Sequence, residues 1–165
     1  MPDLQPLGPL HASAVLAFEV ANRAYFAGFI SDRGDEFFEH FAERYDVLLA
    51  DQEAGRGAYY ALVADDGTVL GRFNLVFPEP GVAELGYRVA EQAAGRGVAT
   101  ATVRDLCAIA GSRHGVRTLR AAASHGNAAS RRVLVNAGFT EVGPASPSEL
   151  GGKRGSWFER NVVGA

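Results

Sequence analysis

A short segment with two glycines, residues 92–100, constrains this chain more than any other feature of its sequence. It lies between a strand pattern at residues 82–90 and a helix pattern at residues 97–113. Gly95 and Gly97 lack a Cβ, so the backbone can turn tightly there and a ligand can approach it closely. The first amides of the following helix have no partner within the helix and lie at the positive end of its dipole. The segment is therefore predicted to bind the phosphate or pyrophosphate of a cofactor.

The spacing of the glycines differs from that of two common nucleotide-binding motifs. A Rossmann motif has Gly-x-Gly-x-x-Gly directly after its strand and an acidic residue about twenty positions further on. Here residues 90–94 separate the strand from the glycines, Thr100 occupies the position of the third glycine, and the next strand pattern, at residues 118–124, ends without an acid. The Gly-Lys-Ser/Thr of a Walker loop is also absent from the sequence. On the glycines alone, a turn that binds no ligand remains an equal alternative.

A second motif changes that balance. Asn127 and Ser130 stand at the start of a helix pattern, residues 128–136, which is followed by Ala-Gly-Phe. The succession Gln-x-x-Gly-x-Gly-x-Ala, Asn-x-x-Ser and Ala-Gly-Phe resembles the GNAT superfamily of N-acetyltransferases. The strand at residues 84–89 is similar to the one that leads into the loop in the RimJ/RimL-like branch, which acetylates ribosomal proteins and amino termini. The specific resemblance covers about residues 84–143, and the remainder agrees only in the order of its elements.

Composition predicts one globular domain over residues 1–165, with 47% hydrophobic and 21% charged residues. A net charge of −3 gives no electrostatic reason to bind nucleic acid or an anionic membrane. No signal peptide or membrane span is predicted, and the single Cys107 cannot form an internal disulfide, so a cytoplasmic location is expected. The chain is expected to be a monomer or a homodimer.

Hydrophobic periodicity and turn residues predict the element order β-α-α-β-β-β-α-β-α-β-β. The strands are placed at residues 4–7, 58–64, 68–77, 82–90, 118–124, 139–142 and 157–162, and the helices at residues 11–22, 34–53, 97–113 and 128–136. Ser31 or Asp32 is predicted to cap the second helix, Asp66 and Gly67 to form a hairpin turn, and Gly115 to end the third helix. Residues 23–30 are predicted to be a connecting loop, and residues 143–155 a mobile loop.

Periodicity alone supports an α+β fold with an antiparallel start and one β-α-β crossover. The resemblance implies more: the three-layer GNAT fold, with about four helices and a mixed sheet of about seven strands. In that fold the sheet is splayed between its fourth and fifth strands, and the thioester lies in the gap.

The resemblance implies acetyl-CoA as co-substrate, and no metal site is predicted because the histidines lack partners at ligand spacing. The residues expected to bind acetyl-CoA are Val89, Gln92, Gly95, Arg96, Gly97, Val98, Ala99, Thr100, Asn127, Ser130 and Arg132. Asn127 has two compatible roles, as helix N-cap and, by the resemblance, as a clamp on the pantetheine arm. Arg131 and Arg132 are candidates for the 3′-phosphate of the nucleotide, or else belong to a solvated helix face.

Glu84 is the leading candidate for the general base. Strand alternation places Glu84, Gly86 and Arg88 on one face, and an acid in a central strand is costly unless it is paired or catalytic. The alternative is a structural ion pair with Arg88 or Arg72. About a tenth of a protein α-amine, with a pKa near 7.8, is neutral at pH 7, against roughly one part in a few thousand of a lysine near 10.4. An α-amine acceptor therefore needs much less help from a base than a lysine-like acceptor does.

Ser130 is the candidate for protonating or hydrogen-bonding the departing thiolate, with a purely capping or pantetheine contact as the alternative. Many members of the resembled superfamily have a tyrosine in this region, and residues 128–136 contain none. His125 and Glu141 are secondary candidates for the base, although an exposed or structural histidine is the more frequent case. Cys107 lies in a helix pattern without an adjacent base, so a covalent acetyl-cysteine is disfavoured.

The acceptor side is defined least. Tyr25 and Phe26 belong to an aromatic connection which, in the resembled fold, forms one wall of the acceptor pocket, and Arg72 and Asn74 share one face of the third strand. The predicted function is direct transfer of an acetyl group from acetyl-CoA to a primary amine, either a protein N-terminus or a small molecule. The alternative is a catalytically silent module that binds acyl-CoA.

Overall fold

The structure is a computed structural model that describes residues 1–162. Its strands are β1 (Asp3–Pro6), β2 (Gly57–Val63), β3 (Val69–Glu79), β4 (Val82–Val89), β5 (Thr118–Ser124), β6 (Thr140–Ala145) and β7 (Gly155–Asn161). Its α-helices are α1 (Ala12–Ala21), α2 (Arg23–Ala27), α3 (Asp35–Glu39), α4 (Phe41–Glu53), α5 (Val98–His114) and α6 (Ala128–Asn136). Turns of 3₁₀ helix occupy Pro9–His11, Glu91–Ala93 and Pro147–Leu150. The expected seven strands and four longer helices are confirmed, and α2 and α3 are additional helices of 5 residues each.

The strands form a mixed seven-stranded sheet in the order β1-β2-β3-β4-β5-β7-β6. β4 and β5 are parallel, and their register runs from Val82 opposite Thr118 to Glu84 opposite Arg120. β5 pairs antiparallel with β7 along its whole length. β4 continues to Val89, whereas its register with β5 ends at Glu84. The α+β fold with a sheet splayed between the fourth and fifth strands is confirmed.

The chain divides into two compact units. The first comprises Met1–Asn74 and Tyr87–Ala93, and the second comprises Leu75–Gly86 and the chain from Ala94 onward. The first unit has a core of aromatic and aliphatic side chains that removes apolar surface from water, the main favourable term in folding. This core consists of Leu7, Val15, Phe18, Phe26, Phe41, Tyr45, Tyr59, Ala61, Val69 and Ala90.

The second unit buries one face of α5 and the alternate residues of β5. On β5 these are Leu119, Ala121 and Ala123, the spacing expected of a strand. α5 ends at Gly115, whose φ of 63° is the left-handed conformation that lets a chain leave a helix. The predicted stop at Gly115 is confirmed.

Two expectations for the segment between α1 and β2 are wrong. Residues 23–30 are not only a loop, because α2 occupies Arg23–Ala27 and buries Phe26 against Phe18, with ring centroids 5.5 Å apart. Residues 34–53 do not form one helix, because His40 leaves the helical conformation and separates α3 from α4. The apolar spacing continues across this break because Phe37 and Phe41 pack together on both sides of it, so periodicity could not reveal it.

The predicted cap and the predicted final loop are also corrected. Gly34, not Ser31 or Asp32, is the N-cap of α3, and Asp32 instead accepts the amide N–H of Gly34 at 3.0 Å. In the segment 143–155, β6 continues to Ala145 and a 3₁₀ turn follows. A capping box, in which the amide of Ser146 donates to Glu149 and the Ser146 hydroxyl accepts the amide of Ser148, stabilises this turn.

Candidate active site

The turn before α5 has the conformation that its glycines predict. Gly95 and Gly97 have φ angles of 74° and 75°, in the left-handed region that side chains with a Cβ rarely adopt. In the part of the chain that the structure describes, no heavy atom outside the adjoining residues lies within 4 Å of the position that a Cβ would take at either glycine. The backbone at both positions therefore faces open space.

The first turn of α5 offers amide donors that precede its first intrahelical hydrogen bond. Gly97 is its N-cap, and within residues 1–162 no side chain caps the helix. The carbonyl of Gly97 accepts the amide of Ala101 at 3.0 Å, so the amides of Val98, Ala99 and Thr100 precede the first bonded turn. The first turn contains no acidic residue, and Arg96 beside it is exposed. These donors, the positive end of the helix dipole and the open glycines fit a phosphate or pyrophosphate.

α6 begins with a well-defined cap. Oδ1 of Asn127 accepts the amide N–H of Ser130 at 3.1 Å, so the N-cap role of Asn127 is confirmed. This bond uses only the oxygen, which leaves the amide N–H groups of the side chain to donate elsewhere. Ser130 is half-buried one turn into the motif, and Arg132 is exposed on the outer face of the helix. The pantetheine contact of Asn127 stays a prediction.

Glu84 is half-buried at the last position where β4 and β5 are in register. Its partner in the register, Arg120, forms its ion pair with Glu159 at 3.2 Å. Arg88 and Arg72, the predicted alternative partners, also form their contacts elsewhere, and no ion pair to Glu84 is present among residues 1–162. The structural ion pair with Arg88 or Arg72 is thus not formed among the described residues, and the role of Glu84 as a base stays a prediction.

Three side chains that are distant in sequence form a hydrogen-bonded chain in the second unit. Nε2 of His125 lies 3.2 Å from Oγ of Ser156, and Ser156 donates to Oε2 of Glu141 at 2.5 Å. Ser156 is buried, and β7 holds it between β5 and β6. Sequence reasoning named His125 and Glu141 separately and missed Ser156, because only strand pairing brings the three together.

A small polar pocket lies within the first unit. It has a volume of about 90 Å³, and its polar lining consists of Glu19, Arg33, Arg44, Arg72 and Asn74; we refer to it as the arginine pocket. Nη2 of Arg72 donates to Oδ1 of Asn74 at 3.1 Å, so the two residues predicted to share a strand face do lie together. Sequence reasoning missed Glu19, because a single acid in an otherwise largely apolar helix gives no sign that it will be buried.

The two aromatic residues predicted for the acceptor wall both pack against other residues of the first unit. Phe26 is buried in the core of the first unit, and Arg88 lies over its ring at 5.2 Å. Tyr25 is half-buried and packs edge-on against Phe29, with centroids 5.1 Å apart. Their role toward an acceptor stays a prediction.

Comparison with known families decides what kind of protein carries these features. A family model described as "Acetyltransferase (GNAT) domain" matches residues 4–140. The chain belongs to the GNAT acetyltransferase family. No curated protein matches it in a direct sequence comparison.

Solved structures share this fold at low sequence identity. Ribosomal-protein-S5-alanine acetyltransferase from Vibrio fischeri has a TM-score of 0.86 and 17% identity, over 96% of this chain and 91% of that one. RimJ from Mycobacterium smegmatis, in complex with CoA-disulfide, has a TM-score of 0.83 and 21% identity, over 96% and 80%. Spermidine N-acetyltransferase from Vibrio cholerae, in complex with CoA and spermine, has a TM-score of 0.78 and 13% identity, over 97% and 95%. At these identities the likeness shows the fold.

In this GNAT chain Cys107 is buried in α5, and burial raises the pKa of its thiol. A thiol of that kind is a poor nucleophile at neutral pH. Among residues 1–162 no three side chains of the metal-ligating types come together as a cluster. Within the same part of the chain, none of the helices combines the length and the apolar character that a membrane span requires.

Proposed function

We propose that residues 1–165 are a single N-acetyltransferase domain that uses acetyl-CoA to acetylate a primary amine. The observation that carries the proposal is the start of α5, where two left-handed glycines with open Cβ positions precede a helix that no side chain of the described residues caps. In a GNAT chain this arrangement supports the binding of the CoA pyrophosphate by backbone amides. Gln92, Arg96 and the residues Val98 to Thr100 complete that segment, with Val89 at the end of β4 before it.

Bound acetyl-CoA supplies an acetyl thioester. The amine attacks the thioester carbonyl directly, the new C–N bond replaces the C–S bond, and the thiol of CoA leaves. Glu84 takes the proton from the amine through a water molecule, which is consistent with its lack of an ion-pair partner among residues 1–162. Ser130 donates a hydrogen bond to the departing thiolate, which takes its proton from solvent to become the thiol, while Asn127 orients the start of α6. Holding the amine beside the thioester supplies much of the rate.

The acceptor is a protein N-terminal amine or a small-molecule amine, on the side of the chain that Tyr25, Phe26, Arg72 and Asn74 form. Related folds with known names include both ribosomal-protein and spermidine acetyltransferases, so the fold allows either class. A cytoplasmic location and a monomeric or homodimeric state belong to the same proposal. The free buried Cys107 suits a reducing compartment.

The test is a panel of small amines and N-terminal peptides with acetyl-CoA, followed by release of the free CoA thiol. We expect turnover on at least one class of amine, with sequential and not ping-pong kinetics. The Glu84→Gln variant is the first comparison, and Arg113→Gln, on an exposed part of α5, is the matched control. Tight binding of acetyl-CoA without turnover on the whole panel would favour a silent acyl-CoA-binding module.

A further inference from the structure

The arginine pocket contains more positive charge than its own residues neutralise. Glu19 is 2% exposed, and its carboxylate lies 3.1 Å from Nε of Arg33 and 3.5 Å from Nη1 of Arg88. Arg72 is a third guanidinium in the same cluster and is 5% exposed. Asp32 attracts Arg88 as well, but its oxygens are bound to Arg23. One carboxylate thus faces three arginines.

The hydrogen bonding of this cluster is incomplete. Nε of Arg72 is buried and has no hydrogen-bond partner within residues 1–162. Oε2 of Glu19, although close to Arg33, does not have the geometry of a hydrogen bond. A buried charged donor without a partner costs free energy, so such groups in native proteins are usually completed by water, an ion or a ligand. Arg72 is one of the residues that line the pocket, so the guanidinium with this unsatisfied donor belongs to the positive charge around the cavity.

We propose that the arginine pocket binds a carboxylate group of the acceptor, and that this chain acetylates amines which carry an acidic group. This proposal rests on the acetyl transfer proposed above and adds the chemical class of the acceptor. An oxyanion at this position would neutralise part of the excess charge and accept bonds from Arg72 and Arg33, the strong type of charge-assisted hydrogen bond.

The size and lining of the pocket agree with this ligand. A volume of about 90 Å³ corresponds to the share of about three water molecules, enough for a carboxylate with a short methylene stem. Phe37, Phe41 and Tyr45 supply an aromatic wall for such a stem, and the exposed Arg44 adds a further positive charge. Burial is the main cause that lowers the pKa of Arg88 to about 10, and repulsion from Arg33 is the second. Of these two causes, only the second is one that a bound anion would compensate.

A cationic acceptor is the competing ligand, because Glu19 could in principle bind an ammonium group. The balance of charge argues against it. Two arginines already lie against the Glu19 carboxylate, and a polyamine would add positive charge to a cluster that has an excess of it. The pocket therefore separates acidic amines from polyamines.

The experiment compares acceptors that differ only in one carboxylate. Tripeptide amides with a single Glu at the first, second or third position are each matched with a Gln twin, free glutamate is matched with glutamine, and spermidine is the cationic arm. Binding is measured by calorimetric titration without acetyl-CoA, and acetyl transfer separately by release of the CoA thiol. Comparison of the peptides with free glutamate shows whether the bound carboxylate belongs to a peptide side chain or to a free amino acid. The variants are Arg72→Met, Arg44→Gln at the exposed part of the pocket, and Arg113→Met as control.

We expect at least one acidic acceptor to bind about 10- to 100-fold more tightly than its uncharged twin, as for a charge-assisted hydrogen bond. Arg72→Met should abolish that preference, Arg44→Gln should reduce it about two- to fivefold, and Arg113→Met should leave it unchanged. If Arg72→Met does not fold, as thermal unfolding would show, the Arg44→Gln result and the preference of the wild type still decide whether the pocket binds a carboxylate. Equal binding of every acidic acceptor and its twin, or tighter binding of spermidine, overturns the proposal. A preference for acidic acceptors without turnover would contradict the proposed acetyl transfer but support the assignment of the pocket. Turnover without such a preference would support acetyl transfer and contradict the assignment of the pocket.

Discussion

Gly97 allows a test that separates the cost of backbone strain from the cost of blocking a ligand. Gly97 and Gly115 are the N-cap and the C-cap of the same helix, with φ angles of 75° and 63°, and no other atom of residues 1–162 beyond the adjoining ones lies within 4 Å of a Cβ at either position. A Cβ in the left-handed conformation costs about 1–2 kcal/mol at either site. For a chain of this size, each kcal/mol lowers the unfolding temperature by about 2–4 °C. Gly97→Ala and Gly115→Ala should therefore lower it by similar amounts.

CoA binding should distinguish the two variants. If the CoA pyrophosphate binds to the amides of α5 as proposed above, a Cβ at Gly97 would obstruct its approach, and loss of one charge-assisted hydrogen bond costs about 1.5–3 kcal/mol. We expect Gly97→Ala to raise the Kd for CoA about 10- to 150-fold, and Gly97→Val to raise it further. Gly115→Ala should leave the Kd unchanged, because it lies at the opposite end of α5. Arg96→Ala should raise the Kd only about two- to fivefold, as an exposed charge does.

The assay is calorimetric titration of CoA into each variant below its unfolding temperature. Equal losses of affinity in Gly97→Ala and Gly115→Ala would refute the reasoning, because strain alone would then account for both. Equal losses in Gly97→Val and Arg96→Ala would also contradict a cradle made of backbone amides. A comparable fall in unfolding temperature for the two alanine variants is the internal check on the strain cost.

Three further predictions test the chemistry. Glu84→Gln should lose about tenfold in activity at pH 7 on an α-amine and up to about a thousandfold on a lysine-like amine. Activity should partly recover as the pH rises, because alkaline solvent deprotonates the amine itself. Full activity of the variant at pH 6 would instead make Glu84 a structural residue. Cys107 should react with a thiol reagent only as fast as the chain unfolds, because the thiol is buried and burial raises its pKa. The Cys107→Ala variant should keep sequential kinetics, whereas ping-pong kinetics with an acetylated Cys107 would overturn direct transfer. Ser156→Ala should lower the free energy of unfolding by about 1 kcal/mol in denaturant titration, because it removes the partner that His125 and Glu141 share; an unchanged midpoint would show that this chain of hydrogen bonds does not stabilise the fold.

Local signals in the sequence were sufficient where one short segment determines its own conformation. Gly97 and Gly115 were recognised as the limits of α5 because only glycine enters the left-handed region without strain. Asn127 was recognised as a helix cap because its side chain bonds three residues away. The break at His40 was missed because the same face of the segment is buried on both sides of it. Ser146 and Glu149, by contrast, form a capping box whose Ser-x-x-Glu spacing is visible in the sequence.

The sequence by itself determined the order of the elements, the turn before α5 and the start of α6, because these depend on residues that are neighbours along the chain. Only the tertiary structure decided which residues that are distant along the chain lie in contact. It buried Glu19 of α1 among arginines from other parts of the chain, and it joined His125 to Glu141 through Ser156. The physical reason is that the environment of a charge depends on which groups surround it in space and on how much water they exclude. A pattern of residues along the chain describes neither.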